Sequence, residues 1–214
     1  MLNLYVMRKI AVIVALESEY ELVSKALGDK PGISLSLCGI GKVNAAVGAT
    51  SIIERFHPDA IISSGVAGAL DPELRPMDVI VAQRVAYHDV WCGGDNEWGQ
   101  VQGFPKYFEA DKELYSKAMS LNIEGLRIKG GLQISGDRFI DAGDVPGLIK
   151  LYPDALAVDM ESGALSQTCH RYGIPFISFR IISDSADESS YSDFWSQAPE
   201  NSFKVLESFL DTLK

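Results

Sequence analysis

Hydrophobic and polar positions along this chain fall into two alternating periods. Short apolar runs rich in valine and isoleucine, the pattern of buried strands, occur at residues 9–16, Ile33–Leu37, 59–64, 79–82, 127–134 and 176–182. Between them lie stretches whose apolar residues recur at three and four positions, the pattern of helices packed on one face. These predict helices at 18–27, 43–56, 111–121, Ser162–Tyr172 and 201–213. Gly28 closes the first, and Gly173 with Pro175 stops the fourth. In the last, Phe203, Leu206, Phe209, Leu210 and Leu213 define the buried stripe.

Strands alternating with helices predict an α/β sheet, whose strands present their C-terminal ends to a common crevice where ligands bind. Chemistry is therefore expected in the residues just beyond each strand. The first strand runs into Glu17-Ser18-Glu19, acids that favour a helix N-terminus through its dipole and that also stand at the crevice. The strand at 59–64 runs into Gly65-Val66-Ala67-Gly68, either an ordinary turn or a place where backbone N–H groups approach a ligand. The strand at 127–134 runs into Ser135-Gly136-Asp137-Arg138-Phe139-Ile140. There Phe139 is a core residue by default and also a flat surface on which a base can stack. The stretch 157–187 carries most: an apolar run ending in Asp159 and Glu161, a helix, then an apolar strand interrupted by Arg180 and emptying into Ser183-Asp184. Glu161, Arg180 and Asp184 are thus expected to converge on one cleft.

Other features narrow the class. Gly39 and Gly41 precede an alanine-rich helix, but Asn44 stands where a dinucleotide fingerprint has its third glycine, and Walker spacing is absent. A tight turn allowing close helix packing is the expected role. The region 88–108 holds Trp91, Trp98, Phe104 and Tyr107 among glycines, as a functional loop or an oligomer contact would. Hydrophobic residues make up 47% of the 214, enough for one domain with a sizeable core spanning residues 1–214. A formal net charge of −10 argues against a nucleic-acid partner. Cys38, Cys92 and Cys169 are scattered, as in a reducing cytoplasm, and with His57, His88 and His170 form no spaced ligand set; neither metal nor cofactor is expected. The apolar run at 10–16 is too short to span a membrane, and either Met1 or Met7 serves as a start.

Five motifs in order, ALESE, GIGKVNAA, SGVAG, SGDRFI and VDMES followed by RIISDSAD, resemble those of the nucleoside phosphorylase/nucleosidase superfamily. Within it, the chain is most similar to the bacterial 5′-methylthioadenosine/S-adenosylhomocysteine nucleosidases. The resemblance implies a single-domain, three-layer αβα fold with a central mixed sheet partly curled into a barrel. It implies a homodimer, with the loop at 91–104 as the expected contact, and a small-molecule nucleoside as substrate. Residue by residue, it implies Glu19 as general base to water, Asp184 as the acid that protonates N7 of the leaving adenine, and Glu161 as the acceptor of the ribose hydroxyls. Arg180 is implied near the water, Met160 under the ribose, Phe139 stacked on adenine and Ile140 at its edge. Tyr191 covers the 5′-alkylthio group, and Val66, Ala67, Gly68 and Ser183 complete the lining. Val66 stands where many relatives have serine or threonine. The missing hydroxyl weakens a phosphate site most, so hydrolysis is expected over phosphorolysis. Asp159 replaces a glutamate usual in close relatives, and no consequence is expected of it. A purine nucleoside phosphorylase, a futalosine-type nucleosidase and a non-catalytic nucleoside-binding protein remain the alternatives.

Overall fold

The computed structural model describes residues 9–184, 194 and 204–213, and of Asp184 the backbone only. Tyr191, Met1 and Met7 lie outside the described residues. Eight strands among those described form one mixed sheet: β1 Ile10–Val14, β2 Ile33–Leu37, β3 Ala60–Ala69, β4 Val79–Tyr87, β5 Phe108–Glu109, β6 Ile128–Ser135, β7 Ala155–Asp159 and β8 Phe176–Asp184. The helices are α1 Glu17–Leu27, α2 Lys42–Phe56, α3 Lys112–Met119, α4 Val145–Leu151, α5 Ser162–Tyr172 and α6 Lys204–Asp211.

The sheet closes on itself. β8 pairs with both β3 and β4, β4 with β6, β6 with β7, and β7 back with β3. β1 and β2 extend as parallel strands from β3, and β5 hangs on β4. This is the expected partly barrel-like mixed sheet. Helices cover both faces. Val23 and Leu27 of α1, Leu114 and Ala118 of α3, and Leu206 and Phe209 of α6 share a core with Val12, Val79, Phe179 and Ile181. On the other side Ala45, Ala49, Ile52 and Ile53 of α2 meet Ala164, Leu165 and Cys169 of α5 over Ile13 and Ile61. The small residues let α2 lie close: a Cβ on Gly48 would meet Cys38 Cβ at 2.5 Å.

Two boundaries depart from the pattern-based expectation. The strand predicted to stop at Ser64 continues through Gly65-Val66-Ala67-Gly68, because β8 pairs with that stretch throughout, Gly65 opposite Arg180 and Ala67 opposite Ile182. The glycines lie within a strand, not a turn. β4 likewise runs on to Tyr87, paired with β6. One helix went unpredicted: α4 has seven residues with proline in its first turn, too short for a periodic signal.

β3 is forked. One edge faces β8 along Ile61 to Gly68. The other is divided: β1 takes Ala60 to Ser63 and β7 takes Gly68 and Ala69. Between them, Ser64 to Ala67 has no strand partner on that edge, and the candidate site occupies the gap.

Candidate active site

Glu19 fills the gap. Its Oε1 accepts from the Val66 N–H at 3.0 Å, and its Oε2 accepts from Ala15 at 2.9 Å and Leu16 at 3.0 Å. The Leu16 contact is the one a helix offers an acid in its first turn. Glu17, by contrast, is not buried. The dipole and crevice roles thus coincide in one residue, Glu19, which is 3% exposed. Burial pushes its pKa up, opposed by Arg180 and by the three N–H donors. A Cβ on Gly65 would meet Glu19 Oε1 at 2.6 Å, so glycine at this point of the strand leaves room for the acid.

Glu161 precedes α5 and is also buried. Its Oε1 accepts from the Gly41 N–H at 2.9 Å. Burial, then Asp159, pushes its pKa up to about 7. The Gly39–Gly41 turn therefore does more than let α2 pack: Gly41, at φ 92°, delivers an amide to a site acid. The same corner is tied to the Phe139 loop. Asp137 Oδ1 accepts from the Lys42 N–H at 2.6 Å, while Asp89 Oδ2 accepts from Lys42 Nζ and from the Asp137 N–H, both at 2.8 Å.

Glu19 and Glu161 border one cavity of about 310 Å³, together with Val66, Ala67, Gly68, Phe139, Ile140, Met160 and Ser183. Ala15, Leu16, Ile40, Arg138, Val158 and Asp159 complete its wall. The volume is that of a small-molecule site, and the lining is mostly apolar with a few converging polar groups. Phe139 is 48% exposed at the rim, whereas Ile140 is buried. The default core reading of Phe139 thus gives way to a ring open to the cavity. Asp184 ends β8 opposite Gly68, one residue beyond the lining Ser183. Among the described residues no cluster of three or more His, Cys, Asp or Glu is arranged to hold a metal.

Arg180 stands behind the cavity wall, beside Glu19, Glu161, Ser63 and Cys38. The residue is 2% exposed. Nε donates to Asp159 Oδ2 at 2.8 Å, NH2 lies 2.7 Å from the same oxygen and donates to Ser63 Oγ at 2.8 Å, and NH1 donates to the Phe179 carbonyl at 3.0 Å. Asp159, to which the sequence assigns no consequence, is the partner of this arginine. The signal was present: each is a charge within or ending an apolar strand, and buried charges require partners. Asp159 also accepts from the Ser162 N–H and hydroxyl, and Ser162 joins Ser178 and Gln133 in a buried polar chain.

An acid held by three amides, a second acid bordering the same apolar cavity and an aromatic rim define a small-molecule site. The chain belongs to the phosphorylase superfamily, whose family model matches residues 27–211. It is 36% identical to the 5′-methylthioadenosine/S-adenosylhomocysteine nucleosidase of Staphylococcus haemolyticus, over 95% of this chain and 100% of that protein. The crystal structure of the Neisseria meningitidis enzyme of the same name, in complex with methylthio-immucillin-A, superposes with a TM-score of 0.89 at 36% identity, covering 95% of this chain and 98% of that one. The Colwellia psychrerythraea nucleosidase in complex with adenine superposes with a TM-score of 0.88 at 28% identity, covering 97% and 96%.

Proposed function

We propose that the chain hydrolyses the N-glycosidic bond of 5′-methylthioadenosine, S-adenosylhomocysteine or both, releasing adenine. The observation that carries this reading is Glu19, a buried acid held by three N–H groups at a cavity that Glu161 also borders. The relatives named for this activity, two of them solved with adenine or methylthio-immucillin-A, support it.

Cleavage draws positive charge onto the ribose and negative charge onto the base. In the proposed mechanism Asp184 gives a proton to N7, so adenine leaves neutral. Glu161 as a carboxylate accepts from the ribose hydroxyls and favours the cation. Water adds to C1′ from the opposite face as the bond to the base breaks, and Glu19 takes its proton, as in inverting glycoside cleavage. Phe139 stacks on adenine, Ile140 lines its edge, Met160 underlies the ribose, and Val66, Ala67, Gly68 and Ser183 close the wall. Arg180 acts from behind the cavity.

Water is favoured over phosphate as nucleophile because Arg180 is already engaged by Asp159 and Val66 brings no hydroxyl. Incubation with methylthioadenosine should release adenine at the same rate with and without phosphate. The Asp184→Asn variant should lose at least about 10²-fold in kcat; near-normal turnover would remove Asp184 from its role. We further propose a homodimer. Exposed Ile40, Val43 and Val47 and the stacked, exposed pair Trp91 and Trp98 support it, since Lys42 bound to Asp89 brings that loop beside the start of α2.

A further inference from the structure

The charges behind the cavity do not balance. Glu19, Asp159 and Glu161 are buried acids, and Arg180 is the one buried Lys or Arg among the described residues. Two of its nitrogens lie within 2.8 Å of a single oxygen, Asp159 Oδ2, to which Nε donates, and the rest of the fork donates to Ser63 and the Phe179 carbonyl. Among the described residues its ion pair is with Asp159 alone. Glu19 and Glu161, facing the cavity, are left to backbone amides.

We propose that Asp159 is a positioning residue: by holding the Arg180 guanidinium in its ion pair it weakens the pull of that cation on Glu19 and Glu161, so that the substrate-free site holds a proton on this acid pair. The consequence for catalysis rests on the function proposed above. Water can be deprotonated by Glu19 only after that proton leaves, and Glu161 accepts two ribose hydroxyls best when ionised. Substrate binding therefore displaces a proton that Asp159 helps retain.

The surroundings agree. Glu161 is faced by Asp159 and Glu19, which raise its proton affinity, and by Arg180 and the Gly41 amide, which lower it. Glu19 is faced by Arg180 and by the amides of Ala15, Leu16 and Val66. The Cys38 thiol beside them is pushed up to about 12, chiefly by burial, and stays neutral. His88, which Asp159 also influences, is pushed down by burial and adds no cation at neutral pH. Lys42 is held by Asp89 at the rim. Among the described residues Arg180 is thus the one buried Lys or Arg beside the pair.

The test titrates the intact chain without substrate, following the infrared C=O stretch of protonated buried carboxyl groups. In the wild type this band should persist to about pH 7. In Asp159→Asn, Arg180 becomes an uncompensated neighbour of both glutamates, and the band should vanish at least about one pH unit lower. Asp159→Glu restores the charge and should restore the wild-type titration. The acid limb of kcat/KM should move in the same direction and by a similar amount. A wild-type band lost in the ordinary carboxylate range, an unshifted Asp159→Asn, or an Asp159→Glu shifted as far as Asp159→Asn would overturn the proposal. Should Asp159→Asn fail to fold, the wild-type titration still decides, because an Arg180 acting freely on the glutamates would abolish the band at neutral pH. Expected titrations in a protein that does not turn over methylthioadenosine would sink the proposed function and leave this inference standing.

Discussion

Gly65 shows how tightly single residues are specified. A methyl group there would collide with Glu19 Oε1, which cannot yield without leaving the Val66 amide. Gly65→Ala should therefore cost about 1–3 kcal/mol, as overpacking does, and lower kcat at least about tenfold; unfolding curves and steady-state rates would show both. Glu161 makes a second prediction. Its pKa is raised from 4.5 to about 7, so the folded state holds the proton more tightly than the unfolded chain. That contribution is fully present below about pH 4.5 and is lost as pH rises through 7, roughly 3 kcal/mol in all. Denaturant unfolding at pH 5 and pH 8 should show this slope in the wild type and a flatter one in Glu161→Gln. At this scale the sequence was legible wherever a residue stands just past a strand: Glu19, Glu161, Phe139, Ile140, Met160 and Ser183 all reach the cavity. For Asp159 it marked a charge at a buried strand end but not the partner. Its partner Arg180 sits on another strand, and the pairing depends on how β7 and β8 are placed around the ring.

Among the elements, the type of each long one was readable and its end was not. The glycines after Ser64 read as punctuation because local preference disfavours them within strands. Pairing with β8 overrides that preference, and the absence of a side chain at Gly65 is what admits Glu19. Likewise the Gly39–Gly41 turn read as packing alone, since nothing local reveals Glu161, 120 residues on, accepting from it. The start of α2 depends on another distant residue. Its first turn has no acid of its own, and Asp137 supplies an acceptor from across the fold. Asp137→Ala should cost roughly 1 kcal/mol, as loss of a helix cap does, and lower Tm by about 2–4 °C. Because the same aspartate anchors the loop carrying Phe139, KM should rise with it, while a merely local cap would leave KM unchanged.

For the molecule as a whole, the exposed apolar residues are not evenly spread. Val43 is 74% and Val47 is 64% exposed on adjacent turns of α2, close to the cavity entrance marked by Ile40. Burying such a face between two copies would also cover that entrance. Val47→Glu should shift the sedimentation profile of the protein towards monomer and lower kcat/KM, with little change in monomer stability; an unchanged profile would place any contact elsewhere. The sequence anticipated a contact at the tryptophan loop. It did not anticipate the bare flank of α2, because the alanine-rich pattern there predicts only close packing.

The fork in β3 has a consequence for how the protein is made. Until β7 and β8 have left the ribosome, β3 carries one edge wholly bare and the other only half covered, and β4 has only β5 and β6 beside it. Bare strand edges recruit neighbours. A stalled or truncated nascent chain ending before residue 155 would thus display the whole edge of β3 that, once synthesis is complete, β8 covers.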